Sequence, residues 1–135
     1  KQEKMKIPTI FKKYGVRYFR NCETKAISSI AKIKNTIIAT GGGTIESSEN
    51  RNRLKKLGLV IWLNASSKVL LNRIQDSRQR PLFTALGIKV GKGTRFRQIL
   101  KSRIALYQSI ADITVDTSQL TVQDVIKIIL LRNEK

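Results

Sequence analysis

An α/β fold with a three-layer parallel sheet is what this chain's pattern predicts, on three observations. Short apolar runs rich in β-branched residues recur along it, helical stretches separate them, and Leu59 to Leu63 (LVIWL) is apolar without interruption. The last feature suits a parallel strand covered on both faces. Strands and helices alternating at these lengths imply right-handed crossovers and layers. With 135 residues, 41% of them hydrophobic, one domain over 1–135 is expected.

Each element follows from local chemistry. Ile7 to Lys34 reads as helix, with Pro8 suited to a first turn, a break at Gly15, and Phe19, Ala26, Ile30 and Ile33 near helical spacing. Thr36 to Ala39 reads as a buried strand, which Gly41, Gly42 and Gly43 end abruptly, since a residue without Cβ is costly inside any element. Glu46 to Leu57 then reads as a helix, capped by Ser47 or Ser48 and followed by Gly58 in the C′ place. A strand–glycine loop–helix unit brings backbone N–H groups close to a ligand or is simply a tight turn, and the stretch alone leaves both open.

After the strand at Leu59 to Leu63, "NASS" caps a helix over Lys68 to Ile74, and Trp62 reads as core. Residues 76–95, with Pro81, several glycines and many cations, read as a long mobile, lid-like loop. A helix from about Arg95 to Ile110, a strand over Asp112 to Thr117 and a helix over Val122 to Leu131, capped by Thr121, complete the chain. "GIKVGKGT" (Gly87 to Thr94) imitates a phosphate loop, but it is one residue short of G-x-x-x-x-G-K-[ST] and follows no apolar strand. It reads as loop, with Lys92 a mobile cation.

The chemistry is bounded by what the composition lacks. With one cysteine, Cys22, and no histidine, an internal disulfide, the common zinc sites and any triad that uses histidine are excluded. A reducing compartment, the cytoplasm, is the expected location. The balance of 27 Lys+Arg against 9 Asp+Glu, a net charge of +18, attracts anions of any kind. Scattered lysines such as those in "RLKKL" read as solvated surface. Arg20, Arg73, Arg80 and Arg103 stand apart from them, because arginine's planar fork matches carboxylate and phosphate and these four are ordered around the glycine loop.

"IFKKYGVRYFRNCET", "IIATGGGT", "ENRNRLKKLGLVIWLNAS", "RQRPLF" and "RIALYQSIADITVDT", taken in this order and at this spacing, closely resemble shikimate kinase from about Ile7 onward. The resemblance implies the nucleoside monophosphate kinase-like phosphate-loop fold and transfer of the ATP γ-phosphoryl group to the 3-hydroxyl of shikimate, with magnesium. Carried over by position, Arg20 and Arg103 are the arginines that hold the shikimate carboxylate, and Glu23 orients Arg20. Gly41, Gly42 and Gly43 match the triple glycine that lets backbone amides meet the ring hydroxyls. Arg80 matches the catalytic lid arginine that moves onto the ATP phosphates, and Arg73 the arginine near the adenine. The implied enzyme is a monomer when intact, working on shikimate and ATP without nucleic acid or membrane.

The chain departs from that family in one large respect. No segment supplies the first strand with its G-x-x-x-x-G-K-[ST] loop, or the second strand with the aspartate that meets the 3-hydroxyl. The expectation is therefore the larger C-terminal part of a longer protein, inactive by itself. In the family's strand order, 2-3-1-4-5, the first strand stands between Thr36–Ala39 and Leu59–Leu63. Without it, either those two strands pair directly or the fragment is poorly ordered when isolated. The lid stretch "TALGIKVGKGTRF" also differs from relatives that carry acids there. Two alternatives remain at this point: a basic nucleic-acid-binding module without catalysis, and another small-molecule kinase of the same fold, such as a gluconate kinase.

Overall fold

The structure, a computed structural model, describes residues 5–31, 33–75 and 93–133. Helix α1 (Ile7–Ile30) carries Pro8 in its first turn, where the missing N–H has no partner to lose. Gly15 interrupts it at φ 77°, a backbone conformation that glycine adopts without steric cost. Phe11 and Phe19 meet across this break, with ring centroids 4.5 Å apart.

A 3-10 turn over Thr44–Glu46 follows the glycines and leads into α2 (Ser48–Leu57). The expected helix start at Glu46 is thus a tighter turn, and the cap is Ser47, whose hydroxyl accepts from the Asn50 N–H at 3.3 Å. Strand β1 (Ile61–Asn64) leads to α3 (Ser67–Gln75), and α4 (Gly93–Ile110) runs into strand β2 (Ile113–Asp116). Helix α5 (Val122–Asn133) is last. Its first turn is closed by Thr121 and Asp124, each bonding the other's backbone N–H, and the Thr121 hydroxyl, donating to Asp124 Oδ2 at 2.6 Å together with the Thr121 N–H, holds the Asp124 carboxyl below its usual range.

β1 and β2 pair in parallel, Ile61 opposite Ile113 and Asn64 opposite Asp116. That is the pairing of the last two strands in the expected order, and the fold is α/β. Along β2 the alternation is clean, with Ile113 and Val115 buried and Thr114 and Asp116 exposed. The uniformly apolar run is not covered throughout, since Leu59 and Leu63 are about half exposed.

The expected strand at Thr36 to Ala39 is a correction. Those residues form no strand, and the sheet among the described residues has two strands only. A strand exists by pairing, and the one that the family order sets beside Thr36–Ala39 is not in this sequence. Nor do Thr36–Ala39 and β1 pair directly; Ile37 is 98% exposed.

The core lies directly under the glycine turn. Ile27 from α1, Ile45 from the turn, Leu54 from α2 and Ile110 from α4 are buried together, with Leu57, Val60, Leu106 and Tyr107 against them. Each such side chain contributes about 1.5–3 kcal/mol by leaving water. Among the described residues, no helix is long and apolar enough to cross a membrane.

Candidate substrate-binding site

The packing of α1, the turn and α4 around that core brings six of the expected residues, Arg20, Glu23, Gly41, Gly42, Gly43 and Arg103, to one place. Arg20 and Glu23 sit three apart on α1, one helical turn, and bond at 2.6 Å from Nη1 to Oε2. The other Glu23 oxygen accepts from the Thr44 hydroxyl at 3.0 Å, so α1 is tied to the turn through this carboxylate. Arg103 reaches the same turn from α4.

Glu46, at the end of the turn, stands between the two arginines. Its Oε1 accepts from Arg103 Nε at 2.9 Å and Nη2 at 2.6 Å, and its Oε2 lies 3.3 Å from Arg20 Nη2. Two guanidinium groups from different helices therefore converge on one carboxylate. This is the geometry that a carboxylate-binding pair needs, with a side chain of the protein itself in the middle.

Each glycine of the triplet faces a different member of this group. A Cβ built on Gly41 would meet Glu23 Oε1 at 2.7 Å, one on Gly42 the Tyr107 hydroxyl at 3.2 Å, and one on Gly43 would overlap the Arg20 guanidinium. The bare backbone thus lets the protein's own arginine and glutamate lie against the turn in these positions, and a side chain at Gly41 or Gly43 would push them aside. Tyr107 donates to the Gly42 carbonyl at 2.6 Å and stacks on Trp62 with centroids 5.4 Å apart. Burial raises its pKa above the ordinary tyrosine value, an effect that Arg103 opposes, so its hydroxyl stays a protonated donor at neutral pH.

Helix α2 completes the frame by taking up the turn's carbonyls. Asn50 Nδ2 donates to Thr44 O at 3.2 Å, and Arg51 Nη1 donates to Ile45 O at 2.7 Å and Glu46 O at 3.2 Å. Asn50 is 2% exposed, so its bond to Thr44 O is shielded from water. The sequence reading missed Glu46, Tyr107, Asn50 and Arg51 as parts of the site. Tyr107 was accessible, lying four residues after Arg103 on one helix face. Glu46 carried no signal, because its partners come from helices 26 residues before and 57 after it in the chain.

Arg73 is placed elsewhere. Its guanidinium donates to Thr117 Oγ1 at 2.9 Å and Thr117 O at 2.7 Å, which fixes the end of α3 to the residue after β2. Thr117 N in turn donates to Asn64 O at 2.8 Å, so Arg73 stands where both strands end. Arg80 and Lys92, with most of the lid-like stretch 76–95, lie outside the described residues; the helix expected from Arg95 begins at Gly93.

Among the described residues, no three His, Cys, Asp or Glu side chains are grouped to hold a metal ion. The Thr117 anchor leaves Arg73 at a strand end, the edge where open parallel sheets bind ligands.

Comparison with known proteins identifies the family. A sequence model of the family described as shikimate kinase matches residues 1–132. The shikimate kinase of Thermoanaerobacter pseudethanolicus is 37% identical over 125 residues, 93% of this chain and 70% of that protein. That of Thermodesulfovibrio yellowstonii is 36% identical over 131 residues, covering 97% and 73%. Among solved structures, the shikimate kinase of Acinetobacter baumannii in complex with shikimate superposes with a TM-score of 0.84 at 31% identity, over 99% of this chain and 75% of that one. A match along nearly the whole sequence and the same backbone course join the arginine–glycine site to one conclusion: the chain belongs to the shikimate kinase family of ATP-dependent phosphotransferases.

Proposed function

We propose that the protein phosphorylates shikimate at its 3-hydroxyl from ATP, with Arg20 and Arg103 holding the substrate carboxylate and Gly41–Gly43 lying along the ring hydroxyls. The observation that carries this reading is the convergence of both guanidiniums on a single carboxylate beside the triple glycine. Phosphoryl transfer depends mainly on placing the acceptor oxygen in line and on neutralising charge, so a rigid grip on the far end of the substrate serves the reaction directly. Glu23 is the orienting residue: bonded to both Arg20 and Thr44, it fixes the Arg20 fork against the turn.

Arg80 supplies the moving cation over the ATP phosphates, on the strength of its match to the family's "RQRPLF" stretch, and Arg73 lies toward the adenine. Magnesium bound with the nucleotide would supply charge neutralisation on the phosphates; the described residues of this chain offer it no cluster of ligands. The enzyme acts in the cytoplasm as a monomer, with shikimate and ATP as its partners and neither nucleic acid nor membrane involved. These 135 residues contain no G-x-x-x-x-G-K-[ST] loop, so the part of the reaction they perform is acceptor binding and lid closure.

Arg103→Ala in the full-length protein tests this. Shikimate affinity measured by calorimetry falls by roughly 2–4 kcal/mol, as for a lost charge-assisted clamp, while ATP affinity stays within about twofold. Equal losses for both ligands would refute the assignment.

A further inference from the structure

The Glu46 carboxylate already occupies the place between Arg20 and Arg103. We propose that Glu46 is a specificity-determining residue that competes with the substrate carboxylate for the arginine pair, and that it must swing away before an acidic ligand binds. The proposal rests on the reading that these arginines hold the carboxylate of shikimate.

Three features of the site carry it. The first is charge. Arg20 and Arg103 are matched within the cluster by Glu23 and Glu46, so an incoming anion meets a neutral group and gains little until one carboxylate leaves. The second is which carboxylate is free to leave. Glu23 is 14% exposed and bonded on both oxygens, to Arg20 and to Thr44, whereas the Glu46 side chain is 45% exposed and, among the described residues, bonds the two arginines alone. The third is the backbone. The Glu46 carbonyl accepts from Arg51, and the turn is held by Asn50 and by buried Ile45, so the side chain can rotate outward while the turn stays in place.

The consequence for binding is a tax on affinity. A ligand that needs the arginine pair unoccupied binds with its intrinsic constant divided by the fraction of molecules in which Glu46 has left. The Glu46 side chain is 45% exposed, so water screens its pairs with the two arginines and that fraction is small but not negligible. A neutral polyol or amide does not need the arginine pair vacant, so Glu46 weakens the binding of acids, leaves neutral ligands unaffected and narrows the preference between them. In the absence of substrate it also keeps two like charges from repelling each other across the turn.

The experiment is calorimetric titration of the full-length protein and its Glu46→Gln variant with shikimate and with a shikimate analogue lacking the carboxylate. Glu46→Gln keeps the size of the side chain and removes its charge. The expected result is about three- to tenfold tighter shikimate binding in the variant, with the analogue unchanged. Unchanged or weaker shikimate binding overturns the proposal, and so does equal tightening for both ligands. If the unmodified protein binds shikimate and the analogue equally well, the arginine-pair reading itself fails, a result distinct from an insensitive Glu46→Gln. Should Glu46→Gln fail to fold, Glu46→Ala reads the same competition.

Discussion

Residues 36–40 and residues 43–46 are separated by two glycines, yet they behave oppositely. The first stretch is the more hydrophobic, with Ile37, Ile38 and Ala39 in succession, but it forms no strand and Ile37 lies open to water at 98% exposure. The second is polar but for Ile45, and it is fixed from three sides: Glu23 on α1, Asn50 and Arg51 on α2, Arg103 on α4. Apolar content alone did not order the chain here. What ordered it was the availability of partners, which a turn finds in the side chains of adjacent helices and a strand finds only in another strand.

The largest test of this contrast is Ile45→Ala. Ile45 is 3% exposed in the core beneath the turn, so its truncation costs about 2–5 kcal/mol in chemical denaturation and loosens the arginine site above it. A cost below about 1 kcal/mol would mean that the polar bonds alone hold the turn. Next is Gly43→Ala. The new methyl would overlap the Arg20 guanidinium, which moves aside at the end of a flexible side chain and loses its place against Glu23. The expected outcome is shikimate binding weakened by roughly 1–3 kcal/mol with stability nearly kept; unaltered binding would separate the glycine from the function of Arg20. The smallest effect is expected at Ile37→Ala, within about 0.5 kcal/mol of the parent, because the side chain buries nothing. A large loss there would show that residues 36–39 do pair in solution.

Much of this was legible in the sequence, for reasons that differ by element. The helices were read closely because their signals are local: Pro8 opens α1, Gly15 breaks it, Ser47 and Thr121 cap α2 and α5. The β1–β2 pairing followed from the resemblance. Thr36–Ala39 failed as a strand because its pattern states a preference, while its pairing depends on residues elsewhere. At the site, Arg20, Glu23, Arg103 and the glycines were named before any geometry, and the structure brings them together. Their roles toward shikimate remain the proposal made above. Glu46 was invisible by the same logic as the strand, since its meaning comes from two helices that the sequence does not mark as neighbours.

Helix α4 has a mechanical consequence. It begins at Gly93, immediately after the stretch that contains Arg80, and carries Arg103 and Tyr107 one turn apart, one on the Glu46 carboxylate and the other on the Gly42 carbonyl. Ten residues of α-helix form a stiff rod about 15 Å long. A push or twist applied at Gly93 therefore reaches the Arg103–Glu46 pair and the Tyr107–Gly42 contact as one motion, so the two contacts move together.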